Sequence, residues 1–136
     1  MNWYLKVLRQ YADFDGRARR TEYWMFTLVN FIISMVLYLP ALYLTIDSQS
    51  ENPAFFIVYG LYSLALFIPS LAVSVRRLHD VGKSAWFFLI LFIPFIGAIW
   101  ILVLYFMDSD AGSNEYGPNP KTNEFEYDDI LDSNLI

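Results

Sequence analysis

The sequence predicts an all-α integral membrane protein: three transmembrane helices preceded by an N-terminal amphipathic helix lying in the membrane interface. Three observations predict it. The segments 23–46, 52–75 and 84–107 carry no charged residue, and each is 24 residues long. A helix of that length extends roughly 36 Å, enough to cross a ~30 Å hydrocarbon layer with some tilt. The charges crowd into the gaps between these segments. Finally, 57% of the 136 residues are hydrophobic and 19% aromatic. Once three spans are assigned, too little polar chain remains for a separate soluble domain.

The chain therefore reads as one membrane domain over 1–121, followed by an acidic, disordered tail over 122–136. Trp3, Tyr4, Val7, Leu8 and Tyr11 recur at helical spacing, with Lys6, Arg9 and Gln10 on the other side. That pattern suits a short helix in the interface, its basic face toward anionic headgroups. The alternative is a helix packed on the end of the bundle. The run Asp13-Phe14-Asp15-Gly16 reads as a turn, with Asp15 placed to cap the helix that becomes the first span. No cleavable leader is expected, because the first apolar run starts late and is too long for a signal h-region.

Charge sets the orientation. The net charge of −5 is unevenly spread: residues 1–23 carry +2, 47–51 carry −2, 76–83 carry +2, and the tail from Asp108 carries −7. Basic residues precede the first span and fill the second loop but are absent from the first loop. The positive-inside rule then puts the N-terminus and the second loop in the cytoplasm and, with three spans, the C-terminus outside. Placing one Lys or Arg at mid-helix costs roughly 3 kcal/mol on insertion scales, so these residues bound the spans.

Each span holds one proline: Pro40, Pro69 and Pro94. Pro40 and Pro69 lie toward span ends. Pro94 lies near the middle, three residues before Gly97. It marks either a kinked continuous helix, the favoured reading, or the tip of a hairpin that turns back. The second span carries small residues at Gly60, Ser63, Ser70 and Ser74, which suit close helix packing or, alternatively, a polar path. The tail run from Gly112 through Asn114 and Tyr116-Gly117-Pro118-Asn119-Pro120 is too rich in turn formers for a helix and reads as a fixed loop.

Two juxtamembrane clusters hold the candidate functional residues. The first is Phe14-Asp15-Gly16-Arg17-Ala18-Arg19-Arg20-Thr21-Glu22-Tyr23-Trp24. The second is Arg76-Arg77-Leu78-His79-Asp80-Val81-Gly82-Lys83-Ser84-Ala85-Trp86. Both fall on the same expected face. Arg17, Arg20, Arg76 and Arg77, with Glu22, His79 and Asp80 among them, could form a basic rim for anionic lipid phosphates or a protein partner. They could equally pair internally, for instance Arg19 with Glu22 or Arg76 with Asp80. Trp24 and Trp86 suit interface anchors.

With the tail, these clusters resemble the domain-of-unknown-function 805 family of small bacterial inner-membrane proteins. The resemblance rests on Gly16, Arg17, Arg20, Glu22, Tyr23 and Trp24. It rests also on Arg76-Arg77-Leu78-His79-Asp80 with Gly82, Ser84 and Trp86, and on Asn114, Tyr116, Gly117 and Pro120. It covers roughly 10–121, with Val81, Lys83, Ala85 and Phe87 as mild departures. It implies a bacterial inner-membrane protein and brings no activity, substrate or cofactor.

Catalytic signals are weak. His79 and Asp80 are adjacent, and neighbours on a helix do not face one another. Cysteine is absent, and no serine nucleophile motif, P-loop, dinucleotide fingerprint or metalloprotease motif occurs, so no catalytic residue, metal ligand or cofactor is assigned. The expectation is a non-enzymatic membrane component that self-associates or joins a complex and touches anionic lipid. The alternatives are a small transporter or channel subunit, or a lipid-headgroup enzyme using His79 and Asp80. Charged residues at membrane depth, which coupled carriers use, are missing from the spans. The basic residues are explained by the membrane edge, so nucleic acid is not an expected partner.

Overall fold

The computed structural model describes residues 2–48 and 53–121. The acidic segment 122–136 and most of the 47–51 loop lie outside the described residues. Two long helices form the frame: α2 (Arg20–Ser48) and α3 (Ala54–Asp80). Both are long and apolar enough to cross a membrane. At about 1.5 Å per residue they extend roughly 43 and 40 Å. Pro40 and Pro69 lie within them without ending them.

Ahead of them, α1 (Asn2–Arg9) packs on the first half of α2. Val7 is fully buried with Ala18, Phe26 and Val73, and Tyr4 stacks on Phe26 with ring centroids 5.4 Å apart. The Tyr4 hydroxyl donates to Asn30 Oδ1 at 3.3 Å, and Tyr62 donates to the same oxygen at 2.7 Å. Asp15 is not a helix cap. Its amide donates to Asp13 Oδ1 at 3.1 Å in the turn, and α2 begins only at Arg20.

The third apolar segment departs from the expected span. It is no continuous helix: a 3₁₀ helix over Ala85–Phe92 is followed by a turn and then by α4 (Ile96–Phe106). The chain reverses at Pro94–Phe95, where Phe95 takes φ +64°. A Cβ on Gly97 would collide with the Ile90 carbonyl, so the arms approach closer than any other residue there allows. The hairpin also ends where it started. The Asp110 amide donates to the Asp80 carbonyl at 2.8 Å, so the exit of the second arm meets the entrance of the first. The tail from Asp108 therefore lies at the same end of the α2–α3 pair as both basic clusters. That corrects the expectation of three through-going helices with the C-terminus on the opposite side.

The physical reason lies in the helix ends. The last carbonyls of a helix lack internal partners and carry partial negative charge. Those of α4 point into the arginine clusters, which bind them. The packed core sits at this end too: Leu78, Val81, Ile101, Leu104 and Tyr105 form one cluster, and Tyr23 bridges it to the cluster around Val7.

Candidate functional site

Two helix C-termini, those of α3 and α4, converge at one end of the molecule, and three arginines stitch them to the rest of the chain. Arg17 is the central stitch. Its Nε donates to Asp80 Oδ1 at 3.0 Å. Its Nη1 donates to the carbonyls of Gly112 (2.8 Å) and Gly117 (3.3 Å). Its Nη2 donates to the carbonyls of Asp80 (3.2 Å) and Asp110 (2.8 Å). A guanidinium has five N–H donors, and all five are used. An ammonium could not reproduce this planar fork.

Arg77 does the same for α4. It donates to the carbonyls of Tyr105 and Met107, to Ala18 O at 3.3 Å, and to Asp80 Oδ2. Arg20 adds a bond to Phe106 O at 3.2 Å, and the Trp24 indole donates to Tyr105 O at 3.3 Å. The Trp24 ring stacks on Phe106 at 4.5 Å. Trp24 thus seats α4. Trp86, by contrast, is 78% exposed and outside the clamp.

Asp80 is the hub. Its carboxylate holds Arg17 and Arg77 and accepts from the Ser109 hydroxyl, all with Asp80 fully buried. Two cations around one anion, beside two negative helix ends, explain how these charges tolerate burial. The expected Arg76–Asp80 pair is replaced by Arg77–Asp80. Glu22 pairs instead with Lys6 at 3.1 Å and faces Arg76 at 3.8 Å. Arg76 also bonds Gln10. Arg76 and Arg77 are 1% and 0% exposed, so a lipid phosphate does not reach them in this arrangement.

The tail closes the clamp. Asn114 and Gly117 exchange backbone bonds in a tight turn. Asn114 Nδ2 donates to the His79 carbonyl at 2.9 Å, and the Tyr116 ring stacks flat on His79 at 3.9 Å. Gly82 takes φ +76°, a left-handed conformation that favours glycine, with the Asp110 carboxylate lying against it. Pro120 lies just beyond this turn. His79 Nδ1 lies 3.0 Å from the Gly16 carbonyl. His79 and Asp80 therefore form no dyad, since the imidazole meets a backbone oxygen and the carboxylate meets guanidiniums. Among the described residues, no group of three or more His, Asp or Glu side chains could hold a metal ion.

The sequence had singled out Arg17, Arg20, Glu22, Trp24, Arg76, Arg77, His79, Asp80, Asn114, Tyr116 and Gly117, and all lie at this end. Gly112, the start of the tail loop, lies here too, while Gln10, Ser109 and Asp110 carry no signal in the sequence beyond the turn formers that follow Asp110.

These features define a class: a small all-helical protein with two bilayer-length apolar helices and its charges locked together at one end. Within that class, the chain belongs to the family described as protein of unknown function (DUF805), whose model matches residues 11–118. It is 46% identical over 121 residues to "Inner membrane protein YhaI" of Escherichia coli K12, covering 89% of this chain and 97% of that one. "Inner membrane protein YhaH" of the same strain is also 46% identical, with 89% and 98% covered. No solved structure matches.

Proposed function

We propose that this chain is a non-enzymatic component of the bacterial inner membrane. In this reading α2 and α3 cross the bilayer, the arginine end faces the cytoplasm, and α1 lies along the interface. The observation that carries it is the complete use of Arg17. The charged side chains of the motifs hold α3, α4 and the tail together, which is the work of a scaffold. Contact with anionic lipid then falls to cations at the rim, Lys6, Arg9 and Arg20, which are exposed. The apolar faces of α2 and α3 remain available for self-association or a membrane partner.

The test is native mass spectrometry of protein released from detergent with phosphatidylglycerol. Arg9→Ala, at an exposed position, is expected to lower retained lipid and leave the fold intact. Unchanged retention would remove lipid contact from the reading.

A second reading, a transport subunit, is favoured by one observation. Two neighbouring cavities of about 250 and 230 Å³ between α2 and α3 share Asn30 and Ser70, and hydroxyls of Thr27, Ser34 and Ser63 also line them. Ion flux in liposomes that Ser70→Leu abolishes would support it.

A further inference from the structure

We infer that this protein is a one-leaflet wedge, which bends the membrane toward its arginine end or collects where the membrane is already bent that way. The inference rests on the proposed crossing of the bilayer by α2 and α3.

The first support is length. The 3₁₀ arm has 8 residues and α4 has 11. At about 2.0 and 1.5 Å per residue, both arms extend roughly 16 Å. That is about half of a ~30 Å hydrocarbon core, so at any tilt the hairpin stays in one leaflet. The second is anchoring. Both ends of the hairpin are tied to the arginine end, through Asp110 N to Asp80 O, Arg20 to Phe106 O, and Arg77 to Met107 O.

The third support is what the hairpin exposes. Phe92 and Phe95 at its tip are 83% and 86% exposed, Ile96 and Ile99 are exposed beside them, and Trp86 is exposed near its base. Only acyl chains suit such a surface on a segment fixed at the membrane edge. The fourth is where α1 lies. Its ties reach Glu22, Phe26 and Asn30 of α2, all in the first half of that helix. The extra segments therefore all gather on one half of the α2–α3 pair.

The cross-section is then unequal. One leaflet accommodates α2, α3 and both arms of the hairpin, with α1 alongside; the other accommodates two helices. With helices roughly 10–12 Å across, the two arms alone add on the order of 200 Å² to one leaflet. Expanding one leaflet favours curvature convex toward it, and interfacial insertions are sensitive to curvature for the same reason.

The experiment uses the full chain carrying Ser113→Cys with a fluorophore, in giant vesicles of phosphatidylcholine with phosphatidylglycerol. Narrow tubes are pulled outward, and an impermeant quencher separates molecules whose arginine end faces out from those facing in. Outward-facing molecules are expected to be about twofold enriched per unit area in the tube, and inward-facing molecules depleted to a similar degree. Phe92→Ala with Phe95→Ala, both at exposed positions, is expected to move both ratios toward one. Equal sorting of the two orientations, or none, overturns the wedge. Topology is read separately in cells with an impermeant thiol reagent. Protection of Ala12→Cys and Ser113→Cys with labelling of Asp47→Cys keeps the crossing, so absent sorting would then sink the wedge alone. Protection of all three positions would sink both, and labelling of Ala12→Cys and Ser113→Cys on opposite sides would sink the wedge alone.

Discussion

The two halves of the α2–α3 pair are built in opposite ways. The half near Arg20 and Asp80 is dense with buried charge, capped helix ends and remote segments. The half near Ser48 and Ala54 consists of two helices whose outward residues, such as Val36, Leu39, Leu61 and Leu64, are exposed. Contacts there are aromatic, as where Tyr38 meets Phe56 and Tyr59. The difference teaches where specificity resides. Apolar contact in lipid is nearly interchangeable, since lipid tails are as apolar as leucine. Directional hydrogen bonds are not.

If that contrast is right, Asp80→Ala should have the largest effect of any single change. It leaves two buried guanidiniums without their carboxylate, a loss of about 3–5 kcal/mol, read as a fall in unfolding midpoint in detergent. Arg17→Lys should follow, at about 2–4 kcal/mol, because an ammonium forsakes at least two of five charge-assisted bonds. A Lys variant as stable as the parent would show that charge rather than the fork holds the tail. Tyr116→Ala should cost about 1 kcal/mol through the lost stack on His79, and should raise amide exchange in 112–117 before it affects α3. At the other half, Leu39→Ala or Leu61→Ala should change stability by no more than about 0.5 kcal/mol, a loss above 2 kcal/mol erasing the distinction.

The smallest effect concerns pH. The bond from Lys121, then that from the Ser109 amide, holds the Asp108 carboxyl below its ordinary range. A carboxyl whose pKa is lower folded than unfolded stabilises the fold above its unfolded pKa and loses that contribution as pH falls through the lowered value. The group is exposed, so the effect is confined to the tail. Exchange protection near Lys121 is expected to fall in acid while α3 is unaffected. Asp108→Asn should show that weakened protection at neutral pH.

Much of this was legible in the residues. The charge-free runs located α2 and α3 because both are long apolar helices whose ends the charges mark. The clusters stood out because arginine and carboxylate at fixed spacing are hard to place otherwise. Pro94 and Gly97 were visible, yet they allowed both a kink and a turn. Composition cannot decide between them, because the deciding interaction is the remote binding of Tyr105, Phe106 and Met107 carbonyls by Arg77, Arg20 and Trp24. The same limit explains Arg77 taking the place expected for Arg76. An i, i+4 rule counts positions, whereas the partner of Asp80 is fixed by which arginine also faces α4. Gln10 and Ser109 were invisible because each acts through one bond to a distant segment.

Arg17 also imposes an order on how the protein is made. Its partners lie 63 to 100 residues further along the chain. At about 5–20 residues synthesised per second, the last partner is made roughly 5–20 s after the arginine itself. Until then the guanidinium lacks the carboxylate and carbonyls that fix it, and α2 and α3 can form but not lock to the tail. Completion of the carboxyl-terminal turn thus becomes a checkpoint: chains stopped before Gly112 should be cleared by membrane proteases faster than full-length ones, as pulse-chase labelling would read directly.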